Sequence, residues 1–467
     1  MNFDRLGDLD FRDKRVTVVG LGTEGLDMVR YLAARGAYVT VSDAKPADKL
    51  SAAVEEVLDL PVRLSLGANR TEDFVEADAV FVSQSVPLEL PALDEARRRG
   101  IPVHSMLSLF LELCPGPIAG ITGSSGKTTT TALLGEMFHA DERPVFVGGN
   151  IGVGLLEHLP EVRPYTWSVL EVSHTQLQLA QRSPHVAGIL NVTPNHLDRF
   201  SWDEYRRLKG NLIRYQGPPD TAVLGYDDPE TRAMAGEVRG RLLWFSAGSQ
   251  LPGDGTFVKG GWVMLTRGRL RERLFRSDAL HLPGRHNLSN AVAAAALASA
   301  CGISPEAIAC AVEGFRGVPH RLEFVAEAGG VRYFNDSIAT TPERTLAGIH
   351  SFSEPLVLLL GGRDKQLPLE ELADEACRRC RAIVLFGESA GKLAEALRRA
   401  SSGPPVVRAD GLAQAVDEAR ALARPGDVVL LSPACTSYDA YDNFERRGEH
   451  FRALVQQFVK EVAPSLP

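Results

Sequence analysis

Short aliphatic runs ending in glycine or small polar residues alternate with helical patterns along most of the chain. This rhythm predicts parallel strands joined by crossover helices. Three series separate. The first opens at residues 15–20 (RVTVVG) and continues through 37–43 and 79–83. The second opens at 117–122 (PIAGIT) and includes 167–171 and 186–191. The third includes 331–335, 355–360, 382–386 and 427–432. Residues 241–283 carry the turn signals GSQLPGDG and KGG between β-rich runs, and read as a small antiparallel insertion late in the second series.

Composition supports the division. At about 150 residues per domain, 467 residues make three domains. The expected boundaries are 1–105, 106–317 and 318–467. Six cysteines are too few for a disulfide scaffold, and 44% hydrophobic residues with a net charge of −8 exclude a disordered chain. The longest apolar stretch, 291–303, is alanine-rich and falls short of the ~18 residues of a membrane span, so it reads as a buried helix. The opening MNFDRLGDLDFRDKRVTVVG has no secretory n-region or h-region, so a cytoplasmic protein is expected. Fifty-one basic residues against 59 acidic ones, with no basic block, argue against a nucleic-acid partner. Cys377 and Cys380 have metal spacing but sit in LEELADEACRRC, an amphipathic pattern in which positions three apart share a helix face; they read as packing.

Chemistry concentrates at strand ends, where open α/β sheets bind ligands. Gly123, Ser124, Ser125, Gly126, Lys127, Thr128 and Thr129 follow a strand and open a helix. Glycines let backbone N–H groups curl around an anion, lysine adds a point charge, and a threonine hydroxyl can ligate Mg²⁺. Phosphate binding is expected there. A second loop, Gly20 to Gly25 with Gly22, Thr23 and Glu24, precedes Asp43 at the end of the next strand. By itself it suits NAD(P), another nucleotide or a packing turn. Glu24 would oppose a pyrophosphate, which favours another nucleotide. Glu171, His196 and Lys209 could form a metal site, although spacing alone makes His196 a capping or packing residue and Lys209 a solvated charge. Asn287 and Asn290 share a helical face and suit either caps or a base contact. Residues 432–437 (SPACTS) form a candidate substrate loop, with Cys435 read as packing.

The order of these motifs resembles the Mur ligase family of peptidoglycan synthesis over nearly the whole chain. The resemblance runs through TGSSGKT (122–128), GGNIG (148–152), LEVS (170–173) with Gln176, and NVTPNHLDR (191–199). It continues through GRHN (284–287), FRGVPHRLEF (315–324), NDS (335–337), GGRDK (361–365) and LSPACTS (431–437) to Asn443 and Phe444. It implies an α/β protein of three domains: a Rossmann-like N-terminal domain for a UDP-linked substrate, a central P-loop ATPase domain with a mostly parallel sheet, and a Rossmann-like C-terminal domain for glutamate.

The implied activity is ATP-dependent addition of D-glutamate to UDP-N-acetylmuramoyl-L-alanine through an acyl phosphate. A Mur-type ligase with another amino acid, such as L-glutamate, or another acceptor is the alternative. The resemblance also implies two Mg²⁺ sites on Thr128, Glu171, His196 and a carbamylated Lys209, with Lys127, Glu171, His196 and Lys209 catalytic. Besides the phosphate loop, Asn290, Arg321 and Asp336 would bind ATP. Gly22, Thr23, Glu24, Asp43, Asn150, Ser173 and Gln176 would bind the UDP substrate, and Lys365, Ser437 and Phe444 glutamate. A monomer is expected. Four places depart from the family pattern: Asn195 for aspartate, Ser173-His174-Thr175 for Ser-Ser-Phe, Ser83-Gln84-Ser85 for Ser-Pro-Gly, and Ile338 for lysine. The last leaves open the identity and chirality of the added amino acid.

Overall fold

The computed structural model describes residues 10–151, 154–195, 199–248, 250–282, 284–365, 367–400 and 403–462. Three sheets organise the chain. The first contains β1 (Arg15–Val19), β2 (Tyr38–Asp43), β3 (Val62–Leu66), β4 (Ala79–Val82) and β5 (Val103–His104) in the order β3-β2-β1-β4-β5. Every pair is parallel. Chain order reverses beside β1, which opens the crevice in which such sheets bind ligands.

The second sheet contains β6 (Ile118–Thr122), β7 (Val145–Gly149), β8 (Trp167–Glu171), β9 (Val186–Ile189), β10 (Thr221–Gly225) and β11 (Arg241–Ser246), then β12 (Gly255–Lys259), β13 (Trp262–Arg267) and β14 (Leu270–Arg276). Its order is β14-β13-β12-β11-β10-β9-β6-β8-β7. The insertion expected at 241–283 is corrected here. β11 and β12 continue the parallel ladder from β10, and only β12-β13-β14 turn antiparallel. Glycine-rich turns mark a change of direction but do not reveal that the first runs still pair with the main sheet.

The third sheet, β15 (Glu323–Ala328), β16 (Val331–Asn335), β17 (Leu356–Gly361), β18 (Cys380–Phe386), β19 (Val406–Arg408) and β20 (Val428–Ala434), has the order β15-β16-β20-β17-β18-β19. Only β15-β16 is antiparallel. By contacts the chain forms two compact units, one running to Leu280 and including Leu288–Gly314, the other joining His281–Asn287 to the chain from Phe315. The first two sheets belong to the first unit and the third to the second.

The apolar runs explain the cores. β17 and β20 read Leu-Val-Leu-Leu-Leu and Val-Val-Leu-Leu because both faces are covered, as parallel strands between helix layers require. Residues 291–298 of the helix Arg285–Ala300 are all buried, and its alanines let it lie against β9, where a Cβ on Gly188 would meet Leu297 at 3.0 Å. In the first unit, Asp27 on the helix Thr23–Ala34 accepts the backbone N–H groups of Leu155, Leu156 and Glu157 at 2.8–2.9 Å, tying the first domain to the loop after β7. The shared helix face expected for Cys377 and Cys380 is also corrected. The helix ends at Arg379 and Cys380 opens β18, because the apolar run CRAIVLF is long enough to enter the sheet.

Candidate active site

In the second sheet β7, β8, β6 and β9 are parallel neighbours, so their carboxyl ends lie side by side. The loops leaving them bring Asn150, Glu171, the segment 123–127 and residues 190–195 to one edge.

The helix Lys127–Ala140 starts directly from β6 through Gly123–Gly126. Gly126 has φ +83°, and a Cβ there would stand 2.2 Å from Asn290 Oδ1. The glycine therefore admits the curled backbone and a close asparagine together. The loop after β9 clamps this turn. Asn191 accepts Ser125 N–H at 2.9 Å through Oδ1, while Thr193 N–H donates to Ser124 Oγ at 3.0 Å. Ser124 Oγ also lies 3.1 Å from the Tyr205 hydroxyl. Lys127 Nζ donates to Gly123 O at 3.0 Å, so its charge sits over the loop it follows. Thr128 is half-buried and Thr129 buried in the first helical turn, where N–H groups and the helix dipole favour an anion.

Gly149 (φ +98°) ends β7 so close to β8 that a Cβ would lie 2.2 Å from Glu171 O. That approach lets Asn150 donate its N–H to Glu171 O and its Nδ2 to Glu171 Oε1, both at 2.9 Å. Glu171 Oε2 is buried and has no hydrogen-bond partner among the described residues. A buried carboxylate oxygen left in this state is costly unless a cation completes it. Lys209, on the helix Trp202–Arg214, is 1% exposed, with Nζ 4.7 Å from the Tyr205 ring centroid. Burial, and secondarily the charge of Lys127, hold its pKa well below the usual lysine value. An ammonium is penalised there, and a neutral amine is favoured. The orphaned Glu171 oxygen and a lysine whose charge is disfavoured beside it are chemically compatible with a magnesium ion. Among the described residues no cluster of three His, Cys, Asp or Glu could hold a metal, and His196 lies outside the described residues.

The residues expected to bind the UDP substrate divide. Gly22 and Thr23 are exposed where the loop enters the helix. Asp43 accepts Leu21 N–H and Lys45 N–H, each at 2.8 Å, so it braces its own loop. Glu24 is buried, accepting Gln176 Nε2 at 2.7 Å and Gln84 N–H at 2.8 Å. Desolvation raises its pKa.

A chain of bonds runs on. Ser173 and Thr175 donate to Gln84 Oε1 at 2.9 and 3.1 Å, Gln84 Nε2 donates to Asn150 Oδ1 at 3.4 Å, and Asn150 reaches Glu171. Gln84 thus links the first-domain loop to the buried acid. In the sequence Gln84 stands out only as a departure from the family pattern. Glu24, Gln84, Asn150 and Thr23 line a cavity of about 150 Å³.

In the second unit, Asp336 directly follows β16 and is buried, accepting Ser432 Oγ at 2.8 Å and Leu322 N–H at 3.2 Å. Burial raises its pKa to about 7. Arg321 is half-buried between His320 and Leu322, both at positive φ (64° and 44°), a strained turn of the kind that persists where surrounding contacts over-determine it. Lys365 is exposed, with Nζ 3.3 Å from Thr340 Oγ1. Ser437 is buried, and the Phe444 carbonyl accepts Ser337 Oγ at 2.8 Å.

Arg447, also missed in the sequence, is 0% exposed. Its guanidinium donates to Ser337 O at 2.9 Å, Cys435 O at 3.1 Å, Thr436 O at 3.2 Å and Gly361 O at 3.3 Å, gathering the loops after β16, β17 and β20. Its signal was legible: an arginine in the buried stripe shared with Phe451, Val455 and Phe458.

A strand-to-helix phosphate cradle beside a buried acid and a buried lysine defines a multidomain α/β protein that handles phosphate groups. Residues 14–105 match the model for the Mur ligase MurD-like N-terminal domain, 121–298 the Mur ligase middle domain, and 320–435 the Mur ligase glutamate ligase domain. The chain belongs to the Mur ligase family. It is 42% identical over 445 residues to UDP-N-acetylmuramoylalanine–D-glutamate ligase of Symbiobacterium thermophilum, covering 95% of this chain and 98% of that protein. It is also 42% identical to the ligase of the same name from Pelotomaculum thermopropionicum, covering 97% and 99%. Among solved structures, UDP-N-acetylmuramate-alanine ligase of Thermotoga maritima shares the fold at 16% identity, with a TM-score of 0.56 over 95% of this chain and 100% of that one.

Proposed function

We infer that this protein joins D-glutamate to UDP-N-acetylmuramoyl-L-alanine with ATP, in cytoplasmic synthesis of peptidoglycan precursors. The observation that carries the reading is the 42% identity, over nearly full length, to two ligases named for that reaction. The site's chemistry supports it. A carboxylate is a poor electrophile with no leaving group at neutral pH. Transfer of the ATP γ-phosphoryl to it gives an acyl phosphate; the glutamate amine attacks the carbonyl, loses a proton, and phosphate departs from the tetrahedral adduct. Catalysis of such steps is mostly placement and neutralisation of anions.

In this reading 1–105 hold the UDP substrate, 106–317 ATP and 318–467 glutamate. Gly123–Thr129 cradle the ATP phosphates with Lys127 as point charge, and Asn290, Arg321 and Asp336 contribute to the nucleotide site. Gly22, Thr23, Asn150 and Ser173 face the UDP substrate, with Glu24, Asp43 and Gln176 bracing its loop. Lys365, Ser437 and Phe444 serve glutamate. Thr128, Glu171, His196 and Lys209 hold Mg²⁺ at two sites, and the metal supplies neutralisation of charge on the phosphates. Lys209 enters that set as a carbamate: its neutral amine adds to CO₂ and loses a proton, turning a cation into an anion.

The test is an amino-acid screen with ATP, Mg²⁺ and UDP-N-acetylmuramoyl-L-alanine, followed by product mass. Phosphate release and a product one glutamyl residue heavier are expected with D-glutamate and not with L-glutamate. Release independent of every amino acid would refute the reading.

A further inference from the structure

The loop Ser337–Thr340, which leaves the carboxyl end of β16, is tied to three cations. Arg447 holds Ser337 from beneath, through Ser337 O at 2.9 Å and Oγ at 3.0 Å. Lys365 reaches Thr340 Oγ1 at 3.3 Å. Arg344, in the first turn of the helix Pro342–Ile349, donates Nη1 to Ile338 O at 3.2 Å. Among the described residues none of the three forms an ion pair; each is tethered by neutral oxygens. The acid at the head of this loop, Asp336, is buried and engaged by Ser432 and Leu322.

Arg447 is enclosed, but Arg344 and Lys365 are exposed. They are near enough that the charge of Arg344 adds to burial in lowering the Lys365 pKa. Two like charges tethered to one short loop, with no carboxylate in an ion pair with either among the described residues, form a seat for a dianion.

We propose that Arg344 is a specificity-determining residue for the amino-acid substrate, its guanidinium taking the side-chain carboxylate of glutamate while Lys365 takes the α-carboxylate. The proposal rests on the ligase reading above. Glutamate must present two carboxylates to cations and leave its amine unpaired as the nucleophile, and two exposed cations tethered to one loop match that demand. Ile338 contributes only its carbonyl, as the tether of Arg344. A planar guanidinium can accept a carboxylate through two parallel hydrogen bonds, so lysine at 344 would be a partial substitute.

The test compares Arg344→Ala and Arg344→Lys with the unsubstituted enzyme, using D-glutamate and its uncharged isostere D-glutamine, with phosphate release as the readout. For Arg344→Ala, KM for D-glutamate rises at least 10-fold, KM for ATP and the UDP substrate stays within 2-fold, and the preference for D-glutamate over D-glutamine collapses by the same factor. Arg344→Lys falls between. Because Arg344 is exposed, its removal leaves the fold intact, which an unchanged melting temperature checks. A role confined to bracing the loop would lower activity on both amino acids equally, leave the preference intact and overturn the proposal, as would an unchanged KM. If the unsubstituted enzyme releases no phosphate in response to D-glutamate, the ligase reading itself fails, and this inference with it.

Discussion

Replacing Asp336 by asparagine removes a charge from a carboxyl that the fold takes almost wholly out of water. Burial raises its pKa from 3.8 to about 7, even though Ser432, Leu322 N–H and the charges of Arg321 and Arg344 pull it down. Because the folded state holds this proton more tightly than the unfolded chain, its contribution to stability is complete below about pH 4 and is lost as pH rises to about 7. At 1.36 kcal/mol per pKa unit, the loss between pH 4.5 and 8 is about 3 kcal/mol. Asparagine fits the site: its Oδ1 can still accept Leu322 N–H and its Nδ2 can donate to Ser432 Oγ.

All four tryptophans, at 167, 202, 244 and 262, lie in the first unit, so their fluorescence does not report on this one. Alkylation of buried Cys380 and Cys435 during urea unfolding, read by peptide mass spectrometry, does. Comparing the two proteins at each pH cancels the change in thiol reactivity. The unsubstituted protein should lose about 3 kcal/mol more than Asp336→Asn between pH 4.5 and 8. Parallel pH dependence in the two proteins would refute the reasoning.

Gly126→Ala forces a side chain into a turn at φ +83° and against Asn290, so ATP affinity by calorimetry should fall about 10- to 100-fold with the circular dichroism spectrum retained. Gln84→Ala cuts the bonds to Ser173, Thr175 and Asn150, and should lower kcat about 10-fold while leaving KM for glutamate unchanged in steady-state assays. Lys209→Ala should abolish ligase activity, and added formate or acetate should restore part of it, since a small carboxylate can replace a carbamate; absence of rescue at any concentration would count against the modified lysine.

Much of this was legible because strand ends advertise themselves. The run PIAGIT followed by GSSGKT dictates a strand, a tight turn and a helix start, and that is what forms. Glu171 at the end of β8 and Lys209 on a helix were likewise placed from pattern. The environment of Lys209 was not legible, since the motif WDEYRRLKG reads as solvated and only tertiary packing buries its eighth residue. The contacts of Gln84 and Arg344 stayed hidden for a related reason: they are made to partners distant in sequence or to a backbone carbonyl, and neither leaves a spacing rule. The inward bond of Glu24 to Gln176 was hidden as well, because the two residues are 152 positions apart.

In the proposed reaction a substrate carboxylate is phosphorylated before the amide forms. UDP-N-acetylmuramoyl-L-alanine carrying ¹⁸O in both carboxylate oxygens, turned over with ATP, Mg²⁺ and D-glutamate, tests it directly by mass analysis of the released phosphate. One ¹⁸O in each phosphate is expected, because the bridging oxygen of the acyl phosphate leaves with phosphorus. Phosphate free of label, formed alongside the amide product, would contradict an acyl phosphate on the route to the amide.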